Sequence, residues 1–200
     1  MDKKPPRSQA QHYRDIITSH NWIEDILNQL DYQMKKLNIQ DYLLAGGATY
    51  QIIWNYLLSL DSHYGLHDID ITYFDHDLSE PKEAYIAETI RKSLAFQEYD
   101  VEIVNQARAH LWYEQIYGFK TRRLVSLEDA VGSWMTTCSC IGIRQTNNSL
   151  KVIAPYGLDD IFNMIIRPNN QEQKSKSEYY KKADKLTAKW NNLTVIPWGA

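Results

Sequence analysis

Residues 67–75 read HDIDITYFD, and this run constrains the fold more than any other. Ile, Thr, Tyr and Phe favour a strand, whereas Asp is depleted there. Successive side chains of a strand point to opposite faces, so residues two apart share a face. Asp68 and Asp70 therefore stand side by side, while Ile69, Ile71 and Tyr73 point the other way. Such a strand belongs in a sheet with one face in a core and one face open. Two adjacent carboxylates repel, and one keeps its proton unless a cation neutralises the pair.

A chain of 200 residues suits one domain and can bury a sizeable core. Its 44% hydrophobic and 24% charged residues match an ordinary soluble globular protein. The net charge of −3 argues against a large RNA partner, because nucleic acid calls for a broad basic surface. The N-terminal MDKKPPRSQAQ has no apolar core of the kind a secretory signal carries. No apolar stretch approaches the ~20 residues of a membrane span, so no membrane contact is expected. Cys138 and Cys140, one residue apart, make a poor disulfide and at most half a zinc site. We read both as reduced thiols of a cytoplasmic protein.

The chain divides into a flexible arm over 1–7, a domain over 8–170, and a polar linker with a C-terminal helix over 171–200 packed on the same domain. Ile16, Ile17, Trp22, Ile23, Ile26, Leu27, Leu30 and Met34 recur at threes and fours, which predicts helix from Gln9 to Leu37. Asn21 and Glu24 stand at capping-box spacing, which predicts a break near 19–21. DYLLAGG reads as a strand running into a glycine pair, with a helix directly after it. A helix follows Ser79 and Pro81, and YDVEIVN is a third strand followed by the helix QARAHLWYEQIY. Ser126 caps a further helix. Two strands then meet at a turn at Asn147–Asn148, GLDDIFNMII is a short helix, and a basic helix runs to Trp190. The order predicts one α+β (mixed α/β) domain.

Gly46 and Gly47, between a strand and a helix, let the backbone approach a phosphate, with the helix N-terminus facing the anion. A tight turn without a ligand is the plainer reading of a glycine pair alone. Beside Asp68 and Asp70 the pair gains meaning, since Mg²⁺ is held by one or two carboxylates plus substrate phosphates. Glu102, between Val101 and Ile103 on the third strand, offers another carboxylate, and Asp100 shares its face. Asn105 and Arg108 follow at the strand-to-helix junction as nucleotide-binding candidates. Arg108 presents a planar fork for a phosphate, and Asn105 either caps the helix or touches the ligand. His110 nearby reads as structural before it reads as an acid or base. His63 and His67 lack further ligands for zinc, Arg144 sits as an outward strand residue, and Asp159 and Asp160 suit a helix start. Tyr156 is the aromatic candidate for stacking on a base. Lys174, Lys176, Lys181, Lys182, Lys185 and Lys189 read as a solvated helix face, with contact to an anionic substrate as the alternative.

Glycine pair, Asp-x-Asp strand and a later strand carboxylate together resemble the polymerase-β-like nucleotidyltransferase superfamily, which includes the head domain of CCA-adding enzymes. The segments NQARAHLW, SLEDAVGSW and APYGLDDIF are similar to a bacterial nucleotidyltransferase-like family within it. The resemblance implies a small mixed sheet flanked by helices. It implies that Gly46 and Gly47 hold a nucleoside triphosphate, that Asp68 and Asp70 bind Mg²⁺ or Mn²⁺, and that Glu102 ligates metal or activates the attacking hydroxyl. The acceptor it leaves open is a small molecule or a protein side chain. SLEDAVGSW lacks the arginine of the nucleotide-selecting motif, and no segments correspond to the tRNA-holding neck, body and tail, so tRNA end-addition is not expected. The alternative is a catalytically silent nucleotide-binding or interaction module with the same fold. No feature speaks for a particular oligomeric state.

Overall fold

The computed structural model describes residues 8–94, 99–118, 120–146, 149–169 and 175–199. The expected N-terminal arm, the turn at Asn147–Asn148, Lys174 and most of the polar linker lie outside the described residues. Helices α1 (Gln9–Thr18) and α2 (Asn21–Lys36) bury the periodic stripe, Ile16 and Ile17 on the first and Ile23, Ile26, Leu27, Leu30 and Met34 on the second. The break falls where expected, but Asn21 is not its cap. It is already the first helical residue, and His20 precedes it without a side-chain capping bond.

Strand β1 (Tyr42–Ala45) is buried throughout and leads into α3 (Gly47–Leu57). Then come β2 (Asp68–Tyr73), α4 (Glu80–Ser93), β3 (Asp100–Asn105), a 3-10 turn at Gln106–Arg108, and α5 (Ala109–Tyr117). Helix α6 (Leu127–Gly132) starts at Ser126, whose hydroxyl accepts from the Asp129 amide at 3.1 Å. Strands β4 (Gly142–Thr146) and β5 (Ser149–Ile153) form a hairpin-like pair, followed by α7 (Asp159–Phe162), β6 (Ile165–Ile166), α8 (Lys176–Thr187) and β7 (Thr194–Val195). The short pair β6–β7 was not legible in the sequence, where Ile165 and Ile166 extend a helical reading.

Five strands form one sheet in the order β3-β2-β1-β4-β5. Strands β2 and β3 run parallel, joined through α4 as a β-α-β crossover requires. The other neighbours are antiparallel, so the sheet is mixed. One face carries Leu44, Ile69, Ile71, Ile103 and Ile143 into the main core beneath α2 and α4. The opposite face is covered at β1 by a smaller cluster of Leu43, Leu127, Val131, Cys140 and Ile153. Toward β2 and β3 that face is polar. The C-terminal helix α8 joins the main core through Tyr179, Ala183 and Leu186, and the turn after it through Trp190. The Trp190 indole donates to Asn55 Oδ1 at 2.8 Å and meets the Trp54 ring edge-on at 5.5 Å. Among the described residues no helix is long and apolar enough to cross a membrane.

Candidate active site

The parallel register pairs Asp68 with Asp100 and Asp70 with Glu102. Partners in register share a face, so four carboxylates gather on the polar side of the two strands. Glu102 and Asp100 are exposed, being on the edge strand, while Asp68 and Asp70 are half-buried. Burial, then the charges of Asp68 and Glu102, push the Asp70 carboxyl up to about 6, with Lys182 pulling the other way.

Strand β1 places Ala45 beside Asp70 in the antiparallel register, so the glycine turn begins against that carboxylate. Gly46 has φ 61° and ψ −149°, a region that L side chains rarely adopt. A Cβ built on Gly46 would also overlap the Asp70 carboxylate. The backbone must turn here with nothing between it and the acid, and glycine alone allows both. Helix α3 starts one residue later, so its first N–H groups and positive end lie next to the carboxylates. The Thr49 hydroxyl donates to Gly46 O at 2.7 Å and holds the turn.

A cleft of about 640 Å³ opens over this arrangement. Ala45, Asp68, Asp70, Thr72, Glu102 and Val104 form its floor, and Gly46, Gly47 and Gln51 one rim. Lys181, Lys182 and Lys185 of α8, and Lys189 in the turn after it, line it as well, as do Trp112, Tyr113, Tyr117 and Trp134. Among the described residues, Gln51 Oε1 and Thr72 Oγ1, buried in its wall, find no hydrogen-bond partner. Lys181 and Lys185 are exposed and Lys182 and Lys189 half-buried, so the solvated face expected from the sequence also borders the cleft. Positions 181, 182, 185 and 189 fall on one side of a helical wheel.

Asn105 and Arg108, expected as nucleotide-binding candidates, do not line this cleft. Arg108 forms an ion pair with Glu83 of α4, with both side chains largely buried. Asn105 is buried and structural: its Oδ1 accepts from the Ala107 amide at 3.2 Å and the Asp75 amide at 3.1 Å, and its Nδ2 donates to Asp75 O at 3.0 Å. It caps the 3-10 turn. His110 accepts from Arg123 Nε at 3.1 Å, outside the cleft. Tyr156 donates to Gly132 O at 3.0 Å. His63 lies 2.8 Å from the Tyr99 hydroxyl, and His67 meets Lys189 Nζ at 2.5 Å, so the two histidines have separate partners. Arg144 donates to Gln40 O and lies over the Tyr42 ring. Cys138 and Cys140 are both buried, and among the described residues neither forms a disulfide.

Among the described residues no group of three or more His, Cys, Asp or Glu side chains is placed to hold a metal ion by itself. Magnesium needs only one or two carboxylates and completes its shell with phosphates and water. Asp70, desolvated among other acids and pressed against a glycine turn, is the chemistry of a site that a cation relieves.

A sequence model of a nucleotidyltransferase family matches residues 32–195. The fold is similar to that of a protein whose NMR structure reveals a CCA-adding enzyme head domain, with a TM-score of 0.75 and 25% sequence identity over 94% of this chain and 96% of that one. A comparison with curated proteins finds no match.

Proposed function

We propose that this chain, which belongs to the nucleotidyltransferase family, moves a nucleoside monophosphate from a nucleoside triphosphate to a hydroxyl acceptor. The observation that carries this reading is a single cleft in which Asp68, Asp70 and Glu102 share the floor and the Gly46–Gly47 turn forms the rim. The backbone N–H groups at the start of α3 would cradle the phosphates. Asp68 and Asp70, with Glu102, would hold Mg²⁺ or Mn²⁺. The metal would supply charge neutralisation at the attacking and leaving oxygens. Glu102, exposed at the sheet edge, would take the proton of the acceptor hydroxyl. The acceptor oxygen bonds to the α-phosphorus, the bond from that phosphorus to its bridging oxygen breaks, and pyrophosphate leaves with the electron pair.

The acceptor we infer is a small molecule or a protein side chain, since a net charge of −3 does not favour a large RNA. The cytoplasm is the inferred location, where the thiols of Cys138 and Cys140 stay reduced. The test is to incubate the protein and Mg²⁺ with cellular metabolite and protein fractions, using triphosphates labelled at the α- or the γ-phosphate. The α label should appear on an acceptor and the γ label in pyrophosphate, with both lost in Asp70→Asn. Transfer of the γ label would mean phosphoryl transfer instead. Triphosphate binding with no label transferred would favour the silent module.

A further inference from the structure

We propose that α8 is the polyphosphate-binding wall of the cleft, with Lys182 and Lys185 holding the β- and γ-phosphates of the nucleotide across from Asp70. The inference rests on the nucleotidyltransferase reading of the same site and adds residues to it. Helix α8 is fixed by Tyr179, Ala183 and Leu186, and the turn after it by Trp190, all buried. Fixing that side aims the side carrying 181, 182, 185 and 189 at the cleft. The four lysines there are not equivalent. Lys181 is paired with Glu178 at 2.7 Å. Lys189 is committed to Gly65 O at 2.9 Å and to His67. Lys182 donates to a neutral hydroxyl, Ser139 Oγ, at 3.3 Å, and among the described residues no carboxylate forms an ion pair with Lys182 or Lys185.

Two cations therefore line an acidic cleft without a bonded counter-ion. Were their task to neutralise Asp68, Asp70 or Glu102, a direct ion pair would be the expected form. Held apart, they leave the carboxylates to a metal and offer their own donors to a second group of anions. A triphosphate brings that second group, and the lysine ammonium, a compact charge with three donors on a flexible stem, suits terminal phosphate oxygens.

Titration calorimetry with Mg²⁺ and the triphosphate, diphosphate and monophosphate of one nucleoside tests this. In the wild type, affinity should rise with phosphate number. Lys182→Gln and Lys185→Gln should each weaken the triphosphate by about tenfold, the loss expected of one charge-assisted hydrogen bond. Lys182→Arg should restore most of the affinity, which a merely structural role would not predict. Matching melting curves would show that the variants fold. A loss below about threefold in both glutamine variants, or a failure of the arginine to restore binding, overturns the inference. If the wild type binds and Asp70→Asn does not, while the lysine variants behave as wild type, the inference falls and the function stands. If the wild type binds no nucleotide, both fall.

Discussion

At the scale of single residues, the site turns on one contact, the Asp70 carboxylate against the Gly46 backbone. Gly46→Ala meets two obstacles at once, a positive φ and an overlap with the acid. It should destabilise the fold by roughly 1–3 kcal/mol and abolish metal-dependent nucleotide binding, as read by thermal melts and calorimetry; wild-type binding in the variant would contradict the close approach. Asp70 also sets a pH dependence. Its folded pKa of about 6 lies above the ordinary carboxylate value of 3.8, so the folded state binds the proton more tightly than the unfolded chain. Metal-free protein should therefore lose stability as pH rises from about 4 to about 6, by at most roughly 3 kcal/mol, and stay lower above that. Asp70→Asn should remove this slope and be the more stable protein at neutral pH without metal. A series of urea melts from pH 4.5 to 8, run in a chelator, checks it; identical slopes in both proteins would rule it out.

At the scale of elements, the parallel register of β2 and β3 turns two separate acidic patterns into one surface. The strands themselves were legible, because period-two alternation around Asp68, Asp70 and Glu102 is a local signal. Their pairing was not, since nothing local says which strand lies beside which. The same limit explains Arg108. A guanidinium near a phosphate-binding turn is locally plausible, but α4 brings Glu83 to it from elsewhere in the chain. Arg108→Ala should accordingly destabilise the protein by about 3 kcal/mol, the cost of taking its ion-pair partner from a largely buried carboxylate that would keep only the Asn105 amide, and leave triphosphate affinity unchanged in the folded fraction. Lost affinity with unchanged stability would return Arg108 to the site. Helix α8 is the opposite case: its lysines look like a solvated face until Trp190 and Tyr179 fix which side is buried.

At the scale of the whole molecule, the mixed five-stranded sheet presents an apolar face to α2 and α4 and an acidic face to a cleft. The glycine turn, the acidic strand and the edge carboxylate come from well-separated parts of the chain, and the sequence already carried all three. The cleft's cationic and aromatic walls needed tertiary placement to be seen. The central claim is that this cleft binds a nucleoside triphosphate through a metal held by Asp68, Asp70 and Glu102. Titration calorimetry of the wild type and Asp70→Asn with each of the four triphosphates, with and without Mg²⁺ or Mn²⁺, tests it most directly. The wild type should bind at least one triphosphate only when metal is present, and Asp70→Asn, with its fold intact, should bind none. Absence of binding in either metal, or equal binding by the two proteins, would contradict it.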